Sequence, residues 1–95
     1  MKLAVIYRPR TTPPLDAPMM IERLEQWLAA NRDKFEFVYM FAGGGGFGVG
    51  DFQNEAEVQK LTAEHPFTAF SDVEIRIVTD PDTAVANLKG AAARD

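Results

Sequence analysis

Residues 35–52 read FEFVYMFAGGGGFGVGDF, and the way this stretch divides decides the fold. Phe35, Phe37, Tyr39 and Phe41 alternate with Glu36, Val38 and Met40, the period of two that marks a strand and that places the aromatics on one face. Six of the chain's seven glycines follow, at 43, 44, 45, 46, 48 and 50. Gly43 to Gly45 read as a turn. Residues 46–52 then form a second strand, with Phe47, Val49 and Asp51 on one side and Gly46, Gly48, Gly50 and Phe52 on the other. The stretch is a hairpin with a row of positions lacking side chains.

Working outward, Lys2 to Arg8 is a β-branched and aromatic strand ending at Pro9, followed by an ordered proline-rich loop, RPRTTPPLDAP. Met20, Ile21, Leu24, Trp27 and Leu28 recur at helical spacing between about Pro18 and Arg32, with Asp16 as a cap. Asn54 and Glu57 form a capping-box pattern that starts a second helix near residue 55, running to about Glu64. Val73, Ile75 and Ile77 alternate with Glu74, Arg76 and Val78 in a last strand from Asp72 to Thr79. Asp80-Pro81 opens a short Ala-rich helix that Gly90 is expected to stop. The order is βαββαβ with a C-terminal helix, a ferredoxin-like α+β domain in which helices cover one face of an antiparallel sheet. Residues 1–95 form one such domain. The other face carries apolar and aromatic groups, so a second copy covering it in a homodimer is expected.

The charge balance bounds the function. A net charge of −4, with ten scattered basic residues, argues against binding nucleic acid or an anionic membrane. No cysteine and a single histidine leave no thiolate nucleophile and exclude most His-rich metal centres, so a metal site would have to be built from carboxylates; neither a metal nor a cofactor is expected. The N-terminus has too short an apolar run for a signal or a membrane span, and a cytoplasmic location is the default.

The glycines admit three functions. A phosphate loop requires a helix directly after the glycines, but Asp51, Phe52 and Gln53 intervene and no Lys-Ser/Thr follows. An RNA-recognition strand requires a basic residue and stacking aromatics. Gly46-Phe47-Gly48 and Phe52 fit that pattern, but Gly45 and Val49 stand where the basic residue and second aromatic belong. A row without side chains instead lets a ligand, or packed neighbours, approach the sheet closely.

Among groups able to do chemistry, His65 titrates nearest neutrality and follows the second helix, from where it could act as a base. Tyr7 and Arg8 end the first strand, where either could steady an oxyanion, though neighbours in a strand point oppositely. Glu74 and Arg76 share a face of the last strand, and a buried Glu74 would be an alternative base. Tyr39, Phe41, Gly46, Gly48 and Arg76 are candidate ligand contacts, core packing being the competing account of Tyr39.

The segment from Asp51 through Asn54 to His65-Pro66-Phe67-Thr68-Ala69-Phe70-Ser71-Asp72-Val73-Glu74-Ile75, with Ala42-Gly43 before it, resembles muconolactone Δ-isomerase and its relatives among the dimeric α+β barrel proteins. The likeness spans roughly residues 39 to 78. It implies a barrel built by two sheets, and it adds Asp51, Phe67 and Phe70 to the candidate ligand contacts. It further implies cofactor-free isomerisation or cyclisation, by proton transfer, of a small cyclic, lactone or polyketide-type substrate in an apolar pocket. The first strand departs from that isomerase, with Ala4 and Ile6 where His and Lys stand. A non-catalytic small-molecule binder or structural dimer of the same fold is the alternative reading, and an RNA-binding domain a more distant one.

Overall fold

A computed structural model describes residues 1–11 and 16–94; the centre of the proline-rich loop and Asp95 lie outside the described residues. The quoted stretch forms a hairpin of β2 (Phe35–Met40) and β3 (Gly46–Asp51). Its turn is closed by the Phe41 amide donating to the Gly45 carbonyl at 2.9 Å and the Gly44 amide to Phe41 at 3.0 Å. Gly44 and Gly45 have φ of +106° and +80°, a region closed to most side chains. A Cβ on Gly45 would also collide with the Tyr7 carbonyl, so the turn is seated directly against the end of β1 (Lys2–Pro9).

Four strands, completed by β4 (Ser71–Ile77), form an antiparallel sheet in the order β2-β3-β1-β4. The helices are α1 (Ala17–Asn31), α2 (Glu55–Glu64) and α3 (Pro81–Ala93). This is the ferredoxin-like α+β arrangement. Residues opposite one another across the sheet share a face. Leu3, Val5 and Tyr7 of β1 lie opposite Gly50, Gly48 and Gly46, and on the other side opposite Ile77, Ile75 and Val73. The glycine row therefore faces the helices, while Ala4, Ile6, Arg8, Phe47, Val49 and Glu74 occupy the opposite face.

The aromatic alternation of β2 does not survive. A register shift between Phe35 and Phe37 puts Phe35 opposite Gly50, on the helix side, and Phe37 opposite Val49, on the other. One extra residue in a strand reverses the facing of all that follow. Phe35 consequently packs with Trp27 and Phe52, at ring separations of 6.1 and 5.9 Å, whereas Phe37 and Tyr39 group with Phe47.

The core is Leu3, Val5 and Tyr7 against Trp27, Phe52, Val58 and Leu61. The glycines accommodate it: a Cβ on Gly48 would lie 2.8 Å from the Phe35 ring, and one on Gly50 3.1 Å from Phe52. The Trp27 indole N–H is satisfied by the Leu61 carbonyl at 3.0 Å, tying α1 to α2.

The helix starts follow their caps unevenly. Asn54 accepts from the Glu57 amide at 3.0 Å, but the Glu57 carboxylate returns to the Gln53 amide in place of Asn54's own. Asp80 accepts from the Thr83 amide at 2.9 Å, whereas Asp16 makes no side-chain cap. Gly90 does not stop α3, which runs through it to Ala93 with none of its residues buried.

Candidate functional site

A cavity of about 410 Å³ opens on the helix side of the sheet. Val5 and Tyr7 of β1, Val38 and Met40 of β2, and Gly43 to Gly46 of the turn form its floor and end; Trp27 and Leu28 of α1 and His65 and Phe67 beyond α2 close it. Its walls are mostly apolar, and no Asp, Glu, Lys or Arg lines it among the described residues. That size suits a small organic molecule. The bulge makes the site, since it turns Val38 and Met40 inward beside the bare edge of Gly46.

His65 owes its place to the residue after it. A residue preceding proline is pushed out of the helical region, and with Pro66 next, α2 ends at Glu64 and His65 turns extended (φ −70°, ψ 128°). Its ring stacks on Tyr7 at 3.9 Å and 17°, and meets the edge of Trp27 at 4.5 Å. The Phe67 amide donates to His65 Nδ1 at 3.0 Å. Burial pushes the imidazole down from its ordinary 6.5 to about 4, so it is neutral at pH 7.

Tyr7 is 6% exposed, and burial raises its phenol above the ordinary value. Its hydroxyl lies 3.4 Å from Thr68 Oγ1. The Thr68 hydroxyl already donates to the Thr62 carbonyl, which leaves Tyr7 as the donor to Thr68. Ser71 also lines the cavity; its Oγ is buried without a partner among the described residues.

The structure thus gathers Tyr7, His65, Phe67 and Gly46 at the cavity. Gly48 lies on the same face, buried beneath Phe35. Arg8, Glu74 and Arg76 are on the opposite face, where Glu74 bridges the two arginines and Arg8 Nη1 meets its carboxylate at 2.8 Å. Hydrogen bonds from Arg8 and then Arg76 hold that carboxyl below the usual range. Tyr39 and Phe41 belong with Phe37 and Phe47 to an aromatic patch on that same opposite face. Asp51 pairs with the N-terminal amine at 2.7 Å, and Phe70 does not line the cavity. Phe52, which an RNA-reading strand would present to bases, is 1% exposed in the core.

Sequence reasoning passed over Trp27, Val38, Met40 and Ser71 as site residues. Trp27 reads as one more member of an apolar helical stripe, and nothing in the composition of residues 35–41 announces the bulge.

The molecule has a ferredoxin-like α+β fold with an apolar cavity between its sheet and helices. Its sequence matches no family model and no curated protein. Among solved structures it is similar to muconolactone isomerase, with a TM-score of 0.69 at 15% identity over 85% of this chain and 92% of that one. It is also similar to 5-chloro-2-hydroxyhydroquinone dehydrochlorinase from Burkholderia phenoliruptrix AC1100, a structure containing 2,5-dihydroxybenzoquinone, with a TM-score of 0.64 at 14% identity over 87% and 98% of the two chains. At such identities the likeness establishes the fold, and function has to be argued from the site.

Proposed function

We propose that this cavity binds a small cyclic, lactone or polyketide-type molecule and that the protein acts on it by cofactor-free proton transfer, as an isomerase or cyclase. The observation that carries the reading is an apolar cavity of about 410 Å³ with its few polar groups, His65 and Tyr7 among them, stacked on one another at one wall. Apolar surroundings strengthen any hydrogen bond to charge developing on a substrate oxygen. The two solved neighbours, an isomerase and a dehydrochlorinase, agree with such chemistry.

Trp27 is the only tryptophan and lines the cavity, so its fluorescence reports occupancy. Titration with an unsaturated lactone, a cyclic enone and 2,5-dihydroxybenzoquinone should quench it saturably with at least one of them. In deuterated water, NMR should then show exchange of that compound's hydrogens next to the carbonyl. Absence of saturable quenching with all three sinks the reading. Binding without exchange establishes the alternative, a non-catalytic binder, which the lack of a lining carboxylate among the described residues favours.

The bare sheet face supports the homodimer in the same proposal. Tyr39 is 62% exposed beside the half-exposed Phe37 and Phe41, a contiguous apolar patch of the kind that marks an interface. Light scattering should give twice the 10.5 kDa chain mass, and Tyr39→Glu together with Phe37→Glu should give the monomer. A monomeric parent protein at micromolar concentration would overturn the dimer.

A further inference from the structure

We infer that His65 serves the cavity as a neutral hydrogen-bond donor through Nε2–H, holding the carbonyl or enolate oxygen of the ligand, and that the proton the ligand loses passes to water at the cavity mouth and not to the imidazole. The inference rests on the cavity being a ligand site, as proposed above, and adds the role of its histidine and the kind of atom it selects.

The geometry begins with the Phe67 amide, 3.0 Å from Nδ1. A backbone N–H can only donate, so Nδ1 must present its lone pair. Neutral imidazole has one proton, which is then on Nε2. Exchanging the tautomers would set two N–H groups against each other, and rotating the ring end for end would place a carbon against the amide. The Phe67 amide itself opposes the first, and the stack on Tyr7 at 3.9 Å and the Trp27 edge at 4.5 Å oppose the second by hindering rotation of the ring. The Thr68 amide also donates to the His65 carbonyl at 3.3 Å, fixing the backbone of the same turn.

Nδ1 is the ring nitrogen held by a protein group, and the ring borders the cavity on one side and the outer groove of Arg23 and Glu64 on the other, which leaves Nε2–H for a ligand. The ring is only partly buried, so Nε2–H is not sealed from solvent, and a ligand oxygen accepting from it would take the place of water in surroundings apolar enough to strengthen the bond. Such a site favours molecules that present an acceptor oxygen to an apolar surround: cyclic enones, unsaturated lactones and quinones. It disfavours amines and alcohols that must donate there. The neighbouring Tyr7 hydroxyl already donates to Thr68, so the histidine is the free donor of the stacked pair.

Long-range proton–nitrogen correlation spectra of the full chain, labelled with ¹⁵N-histidine, test the tautomer at pH 7. One pyridine-type nitrogen assigned to Nδ1 and one pyrrole-type nitrogen assigned to Nε2 are expected. A proton on Nδ1, or averaged shifts from a mixture, overturns the inference.

The ligand half is tested with 2-cyclohexen-1-one, carbon-13 labelled at the carbonyl. Bound to the parent protein, the carbonyl resonance should move downfield. His65→Phe keeps the stacked shape without the donor, and should weaken Trp27-detected binding about tenfold and abolish the downfield shift. His65→Gln retains an N–H donor and should restore most of both. Undiminished binding to His65→Phe overturns the donor role and leaves the cavity reading intact. Failure of the parent protein to bind any of the cyclic carbonyl probes overturns the cavity reading itself, whatever the tautomer spectrum shows.

Discussion

Replacing Phe52 with alanine is expected to lower folding stability by about 3–5 kcal/mol, the usual cost of removing a fully buried phenylalanine. The ring is 1% exposed and meets Phe35 edge-on at 5.9 Å. It also fills the space above Gly50, where even one added carbon would come within 3.1 Å of it. Neither neighbour can fill the void, because Gly50 has no side chain and Phe35 is held between Gly48 and Trp27. The backbone on either side is pinned as well: the Phe52 amide donates to the Met1 carbonyl at 2.8 Å, and its carbonyl accepts from the N-terminal amine at 2.9 Å. A loss of this size approaches the whole stability of a small domain, commonly about 5–15 kcal/mol. Urea unfolding followed by Trp27 fluorescence, at fixed protein concentration, should show the midpoint fall with little change in slope. A loss under about 1 kcal/mol would mean that Phe52 is not a core residue and would reopen the possibility that this strand presents its aromatics to a partner.

The arrangement of strands and helices was legible because it depended on local pattern. Alternation in Leu3 to Tyr7, helical spacing from Met20 to Leu28, and the caps at Asn54 and Asp80 each act within a few residues, and each is found where expected. Division of the glycines into turn and strand was legible for the same reason. What escaped depended on contacts between distant segments. The bulge at Phe35–Phe37 goes with Phe35 covering Gly48 and Phe52 covering Gly50, contacts between distant segments, whereas alternation alone placed all four aromatics on one face. Gly90 resembled a helix stop, but a single glycine only weakens a helix, and its neighbours Ala91 to Ala93 are strong helix formers.

The site was legible in part. His65 and Tyr7 stood out by type and by lying at the ends of elements, and they meet at 3.9 Å. Arg8, one residue beyond Tyr7, faces the other way and joins Glu74 in an exposed ion pair. Strand alternation allowed only one of the two into the cavity, and burial of the aromatic residue decided which. Whether a histidine serves as base or donor depends on what its other nitrogen touches. Here that is the amide of Phe67, a relation invisible until the turn after α2 is formed.

As the pH falls from 6.5 to about 4.5, the protein should lose about 1 kcal/mol of stability through His65 alone. Burial holds the folded imidazole at about 4, against 6.5 when unfolded, because charging the ring would cost solvation that the stack of Tyr7 and Trp27 cannot replace. Above pH 6.5 both states hold the ring neutral and His65 makes no pH-dependent contribution. Between 6.5 and 4 the unfolded chain binds the proton and the folded chain does not, so stability falls with pH by at most about 1.4 kcal/mol per unit. Partial access of solvent to the ring reduces that slope, hence the smaller figure. Below 4 the folded form also protonates and the effect levels off.

The charged groups near the ring are few: Arg23 of α1 and Glu64 of α2 border its outer side, and Tyr7 of β1 stays a neutral phenol throughout this range. The carboxylates held low by their partners, Glu74, Asp51 and Asp80, act in a lower window. Their stabilisation is present above the ordinary carboxyl values of 4.5 and 3.8 and is lost only as the pH drops below these. Urea midpoints measured from pH 7.5 to 4.5 should therefore decline in the parent protein and stay nearly level in His65→Phe, whose ring cannot titrate. A parent curve flat down to pH 4.5 would mean that His65 is solvated or paired with an acid.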